Sequence, residues 1–206
     1  LALIHQALEA KNMQIATWNV NSLTVRLPQV LAWLAANPVD ALCLQELKLT
    51  DDKFPHDAFK EAGYEAVTFG QKTYNGVAIL SRHAMRDVVR NIPGHTDEQA
   101  RVIAATLDTP DGELRLVNCY FVNGQAPGSE KFAYKMLWLA ALHRWLREEL
   151  LAHPRLDAAL PAVRKALLEL HTDAPGQAVL EALGMPAGFE MEVAQEACQW
   201  LLGPHQ

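Results

Sequence analysis

Two apolar runs in this chain each end in a residue that could do chemistry. Asn19 closes Ile15-Ala16-Thr17-Trp18, and Gln45-Glu46 closes Ala41-Leu42-Cys43-Leu44. On adjacent strands an amide and a carboxylate can hold a magnesium ion beside a phosphate, because a hard cation prefers oxygen ligands and keeps several of its waters. Activating a water and stabilising a phosphoryl transition state takes more than this pair: further oxygen ligands and a base are needed. Residues beyond 156 offer few in suitable places. Judged singly, each of the two has a plain reading: Glu46 a solvated carboxylate, Asn19 a turn former. The pairing of Asn19 with Gln45-Glu46, each directly after an apolar strand, tips the balance toward a site.

The elements that must position these residues follow from hydrophobic period and punctuation. Strands are predicted over 14–20, 41–45, 65–69, 76–81, 86–91, 101–107 and 113–121, with helices over 25–36 and near 54–61. Asp108-Thr109-Pro110-Asp111-Gly112 marks a hairpin, since proline fixes one turn angle and glycine supplies a positive one. Ser129 is a good N-cap with Glu130 at the favourable end of the dipole, so a helix is predicted to about Ala152. Phe132, Met136, Ala140, His143, Leu146 and Leu150 recur at helical spacing and are predicted to form its packing face. Beyond Pro154 the chain turns Ala/Leu-rich, with helices predicted over 160–170, 177–183 and 192–202.

Composition bounds the class. The chain has 206 residues, 50% hydrophobic and 20% charged, which suits a globular protein with a substantial core. Cys43, Cys119 and Cys198 show neither disulfide nor metal spacing, so a reducing cytoplasm is expected. No apolar run is long enough to span a membrane. Net charge is −6 but uneven: residues 13–156 carry 15 Lys/Arg against 16 Asp/Glu, residues 157–206 only 2 against 7. A near-neutral first part can present a local basic groove to DNA, whereas the acidic end would repel a polyanion. His56, His83 and His95 are expected at the surface, and His143 within a core.

Six segments occur in a telling order: Trp18-Asn19-Val20-Asn21-Ser22, Leu44-Gln45-Glu46-Leu47-Lys48, Tyr74-Asn75-Gly76-Val77-Ala78, Gln99-Ala100-Arg101, Asn118-Cys119-Tyr120-Phe121-Val122-Asn123-Gly124, and Lys131-Phe132-Ala133-Tyr134-Lys135. By these, residues 13–156 resemble the first half of the exodeoxyribonuclease III family, within the endonuclease/exonuclease/phosphatase superfamily. The resemblance implies an α+β fold, half of a four-layer α/β-sandwich, here followed by an all-helical tail. It implies a Mg²⁺-dependent DNA phosphodiesterase acting on duplex DNA 3′ ends and abasic sites in DNA repair. Glu46 would be the metal-binding glutamate, with Mg²⁺ or Mn²⁺ as the ion. Asn19 would orient the water and phosphate, and Tyr120 would approach the scissile phosphate. Lys48, Arg101 and Lys131 would serve as DNA or phosphate contacts.

The pattern stops near Leu156. In the family, a segment like Ala152-His153-Pro154-Arg155-Leu156 leads into a strand ending Gly-Asp-x-Asn, whose aspartate activates the nucleophile; here Asp157-Ala158-Ala159-Leu160-Pro161 follows. The family's terminal Ser-Asp-His is also missing from the 206 residues. Residues 157–206 are instead faintly similar to C-terminal helices of phosphate/phosphonate-binding proteins, through Val163–Leu168, His171–Gly176 and Leu183-Gly184. The organisation expected is therefore an extension over 1–12, a partial nuclease domain over 13–156, and an unrelated helical tail over 157–206. Metal binding is expected to be weak and the chain catalytically inert alone, a fusion or truncation product serving as a binding or interaction module. Other phosphoesterase chemistry of the superfamily is a further alternative. The sheet face left by the missing half must be covered by the tail or by self-association.

Overall fold

A computed structural model describes residues 13–153. The extension over 1–12 and the three helices expected after Pro154 lie outside the described residues. The chain divides into two compact units, with the break between Phe121 and Val122.

In the first unit β2 (Ala41–Gln45) and β4 (Val77–Ser81) are buried at every position. A strand apolar on both faces must lie between two layers, and so these two do. They occupy the middle of a four-stranded sheet, flanked by β1 (Ile15–Asn19) parallel to β2 and by β3 (Glu65–Phe69) antiparallel to β4. Leu42, Leu44, Ala78 and Leu80 pack toward the helices α1 (Leu23–Ala36) and α2 (His56–Glu61), meeting Leu23, Val30, Leu34 and Phe59. Ala41, Cys43, Val77 and Ile79 pack the other way, against Ile103, Ala105 and Leu107. These last belong to β6 (Val102–Thr109), the centre of an antiparallel three-stranded sheet with β5 (Met85–Arg90) and β7 (Gly112–Cys119) at its edges. Alternation of side chains along β2 and β4 thus builds one core on each side of the same sheet.

The loops at one end of this sandwich are knitted by backbone hydrogen bonds. Ser22 has φ 89 and makes no side-chain cap for α1. Instead, the amides of Ser22 and Leu23 donate to the carbonyls of Glu46 and Leu47 at 2.8 and 3.0 Å, so amides that a helix start leaves unpaired fasten the loop after β2. That loop is fastened on its other side by Leu47 N–H to the Gly76 carbonyl and Lys48 N–H to the Asn75 carbonyl, while the Gly76 amide donates to Ala100.

Two sequence expectations are corrected. The hairpin turn is tighter than the five-residue segment predicted: β6 runs on through Thr109, which pairs directly with Gly112, leaving Pro110 and Asp111 as the turn. In the second unit, Ser129 caps α3 (Glu130–Ala152) by accepting from the Phe132 amide, as its sequence suggests. The buried face, however, is Trp138, Ala141, Leu142 and Trp145, not the stripe through Ala140, which is exposed. Residues 132–142 are apolar nearly all round, so spacing alone admits two stripes; the one carrying both tryptophans buries more surface. No helix among the described residues is long and apolar enough to cross a membrane.

Gly76 and Gly63 share a left-handed backbone, with φ +88 and +86, but a Cβ on Gly76 would lie 2.9 Å from the Leu47 Cβ while one on Gly63 meets nothing within 4 Å. Gly63→Ala should therefore cost about 1 kcal/mol, the conformational penalty alone. Gly76→Ala, which must also push back the loop carrying Glu46, should cost about 2–3 kcal/mol. Urea unfolding of the two variants checks the difference; equal losses would mean that the Leu47 contact is slack.

Candidate functional site

Three chain segments leave the two sheets at the knitted end and bring Asn19, Glu46 and Tyr120 together. Asn19 is the last residue of β1 and pairs with Gln45 in the parallel register. Glu46 follows β2 with φ 57, a left-handed turn that swings its side chain out of the strand. Tyr120 follows β7, and its amide is fixed by the Arg101 carbonyl at 2.7 Å. Glu46 Oε1 accepts from Asn19 Nδ2 at 2.8 Å and from the Tyr120 hydroxyl at 2.8 Å. Its Oε2 is 3.1 Å from Lys48 Nζ, which also donates to Asn21 Oδ1. Asn19 Oδ1 in turn accepts from the Asn21 amide at 3.1 Å, so the β1 exit is held from within.

Electrostatics at this cluster oppose one another and have a clear winner. Burial pushes the Glu46 carboxyl up, but donors from Asn19, Tyr120 and Lys48, with the Lys48 charge, bring it below the ordinary carboxylate range. Burial pushes the Tyr120 phenol up, and its bond to Glu46 and the charge there push it further, against a smaller lowering by Arg101. At neutral pH the pair is a carboxylate and a neutral phenol donor. Arg101 stacks over the Tyr120 ring, its guanidinium carbon 5.0 Å from the centroid, and donates from Nε to Gln99 Oε1 at 2.9 Å and from Nη1 to the Tyr120 carbonyl at 3.3 Å. Lys131 stands exposed on the first turn of α3, in the second unit.

Sequence reasoning missed several participants. Asn21 holds both Asn19 and Lys48, and a further layer beneath, Thr17, Gln45 and Asn118, is hydrogen-bonded across the two sheets. The available signal was the amide of Gln45 at the end of an otherwise apolar strand; Asn118 lies on a strand that also carries Glu113 and Arg115 and is less conspicuous. Of the histidines expected at the surface, His83 is half-buried with Nε2 3.2 Å from Asp40 Oδ1, and His95 is half-buried.

Glu46 offers a carboxylate, and Asn19 and Asn21 offer amide oxygens, a hard-donor set suited to a cation that keeps most of its waters. Among the described residues no group of three or more His, Cys, Asp or Glu could hold a metal by itself. Among the described residues such a set suits a hydrated hard cation better than a zinc-type cage.

Comparison with known proteins bears on this arrangement. A model of the endonuclease/exonuclease/phosphatase family matches residues 16–177. The exodeoxyribonuclease III of Haemophilus influenzae is 34% identical over 139 residues, covering 66% of this chain and 52% of that protein. Among solved structures, a 3′-5′ exonuclease from Neisseria meningitidis is 54% identical with a TM-score of 0.65, covering 68% of this chain and 54% of that one. An AP endonuclease from Archaeoglobus fulgidus is 38% identical with a TM-score of 0.62, covering 66% and 51%. The chain spans about half the length of these relatives.

Because Glu46 is held below the usual carboxylate range, it stabilises the fold above the ordinary carboxylate pKa, and the contribution fades as pH falls through its depressed value. Glu46→Gln should therefore lose stability relative to the parent at pH 7 and converge with it in acid. Thermal unfolding of both proteins at stepped pH from 7 to 3 reads this directly. A constant offset at all pH values would count against the charge-assisted hydrogen bonds.

Proposed function

The chain belongs to the endonuclease/exonuclease/phosphatase family, and from that membership we propose that it carries the metal- and phosphate-binding side of an exodeoxyribonuclease III-type DNA phosphodiesterase centre. The observation carrying this reading is the convergence of Asn19 and Tyr120 on one carboxylate oxygen of Glu46, each at 2.8 Å. The likeness to an exodeoxyribonuclease III, a 3′-5′ exonuclease and an AP endonuclease, at 34 to 54% identity, supports DNA as the substrate class, and our reading places it at 3′ ends and abasic sites of the duplex.

Each residue then has a physical task. Glu46, with the amide oxygens beside it, would hold Mg²⁺ or Mn²⁺; when bound, the ion would polarise a phosphoryl oxygen and offset charge on the departing oxygen. Tyr120, kept protonated, gives its one hydroxyl hydrogen to Glu46 here and would turn it to a non-bridging phosphate oxygen once a cation occupies that carboxylate. Asn19 presents an amide that can orient phosphate and water together. Lys48, beside Glu46, offers an ammonium to the DNA backbone, as do Lys131 and the guanidinium of Arg101. The free thiols of Cys43 and Cys119 are in keeping with a reducing cytoplasm.

The other half of the reaction is water activation, which the family assigns to an aspartate in Gly-Asp-x-Asn, and the 206 residues contain no such segment. We therefore propose that this polypeptide binds cation and duplex DNA but turns over poorly. Members of a catalytic constellation act as a unit, and losing one commonly costs a factor on the order of 10⁴–10⁶.

An abasic duplex with Mg²⁺ tests both parts. Incision should run roughly 10⁴-fold or more below that of the Haemophilus relative. Mn²⁺ titration followed by electron paramagnetic resonance should show binding that weakens in Glu46→Gln. Fast incision abolished by Glu46→Gln would make the chain a complete enzyme; Mn²⁺ affinity indifferent to that substitution would sink the metal assignment.

A further inference from the structure

A polar clasp lies one strand repeat inside the site. Gln45, on β2, and Asn118, on β7, are 8% and 3% exposed, and they join the two sheets: Gln45 Nε2 donates to Asn118 Oδ1 at 2.7 Å and to Thr17 Oγ1 at 2.9 Å. Asn118 spends both amide hydrogens on backbone carbonyls of the opposite sheet, Leu44 at 2.8 Å and Ala78 at 2.9 Å. A buried amide satisfied in this way is costly to leave half-paired. Its directional bonds fix the offset of β7 against β2 in a way that apolar contacts between flat faces cannot.

The position of the clasp decides what that offset controls. Leu44 and Asn118 are bonded to each other, and two residues farther along both chains come Glu46 and Tyr120. Gln45 immediately precedes Glu46 and is opposite Asn19 in the β1–β2 register. A slip of β7 along β2 by an ångström or two would carry the Tyr120 hydroxyl out of hydrogen-bond range of Glu46, for which the O–H···O limit is about 3.0 Å. We propose that Gln45 and Asn118 are positioning residues, an inter-sheet clasp that sets the Tyr120–Glu46 contact and with it the geometry of the reaction centre. The proposal rests on the reading of Glu46 and Tyr120 as site residues, but its test needs neither metal, DNA nor turnover.

The full chain is labelled uniformly with 3-fluorotyrosine and followed by ¹⁹F NMR. It has four tyrosines, so Tyr120→Phe assigns one resonance, and Tyr64, whose hydroxyl donates to the Val39 carbonyl inside the core, reports on the integrity of the fold. Glu46→Gln defines where the Tyr120 resonance moves when its carboxylate acceptor is gone. Removing one member of the clasp strands the other, whereas replacing both by apolar groups of similar shape can be nearly neutral for stability. The double variant Gln45→Met/Asn118→Leu is therefore the decisive protein. It should fold, keep the Tyr64 resonance in place, and shift the Tyr120 resonance as Glu46→Gln does. A folded double variant with Tyr120 at its parental position overturns the proposal. So does a double variant that cannot fold, since the clasp would then be a structural requirement instead of a positioning device. Mn²⁺ affinity that Glu46→Gln leaves unchanged, together with the expected shift, would count against the proposed function and leave the clasp standing.

Discussion

The candidate site depends on the burial of β2 from both sides. A strand that is apolar at Leu42 and Leu44 on one face and at Ala41 and Cys43 on the other can only run between the helical layer and the second sheet, and so its end must emerge where loops from both sheets gather. Glu46 is the first residue past that point and takes a left-handed backbone there. The bonds from Ser22, Leu23, Gly76 and Asn75 follow from the same constraint, since the loop after β2 is enclosed on two sides and its polar backbone must be satisfied by whatever encloses it. The geometry of the carboxylate is thereby set by main chain, and the side chains of Asn19 and Tyr120 need only reach it.

The charges at the site are arranged in series. Lys48 lies 3.1 Å from Glu46 Oε2, so a cation approaching that oxygen meets an ammonium already in place. Asn21 Oδ1 gives Lys48 a second acceptor. The ammonium can therefore leave the carboxylate while remaining hydrogen-bonded, and a phosphate arriving with the cation would be a third acceptor for it. Arg101 is used differently. Its guanidinium is braced by Gln99 and the Tyr120 carbonyl and lies on the Tyr120 ring, so its first effect is to fix that ring, and its positive charge reaches the site through Tyr120.

How legible this was from sequence depends on what each residue answers to. β2 and β3 are found at their predicted bounds and α1, α2 and the other strands within two residues of theirs, because alternation and helical period are local properties that burial enforces. The conjunction of Asn19 with Glu46 was legible because two strands in succession, joined by one helix, run parallel and end on the same side. The buried face of α3 was not: Phe132 through Leu142 is apolar on nearly every side, and which stripe is covered is decided by neighbours that period cannot see. Nor was the role of Asn21 or of Gln45 with Asn118. Their partners are 27 and 73 residues distant, and an amide in a sequence carries no mark of which chain segment will satisfy it.

The division of labour along the chain bears on how such a centre can be built. Glu46, the side chains that bond to it and the clasp beneath them all lie between Thr17 and Tyr120, and the bonds among them are made within the first unit. Of this set only Gln45 and Asn118 are buried, where an unpaired amide is costly, and both are paired within the first unit. On the function proposed above, holding the phosphate and activating the water would fall to different lengths of polypeptide: the first would rest on the backbone bonds that fasten the loop after β2, and the second on an aspartate of the kind the family resemblance implies.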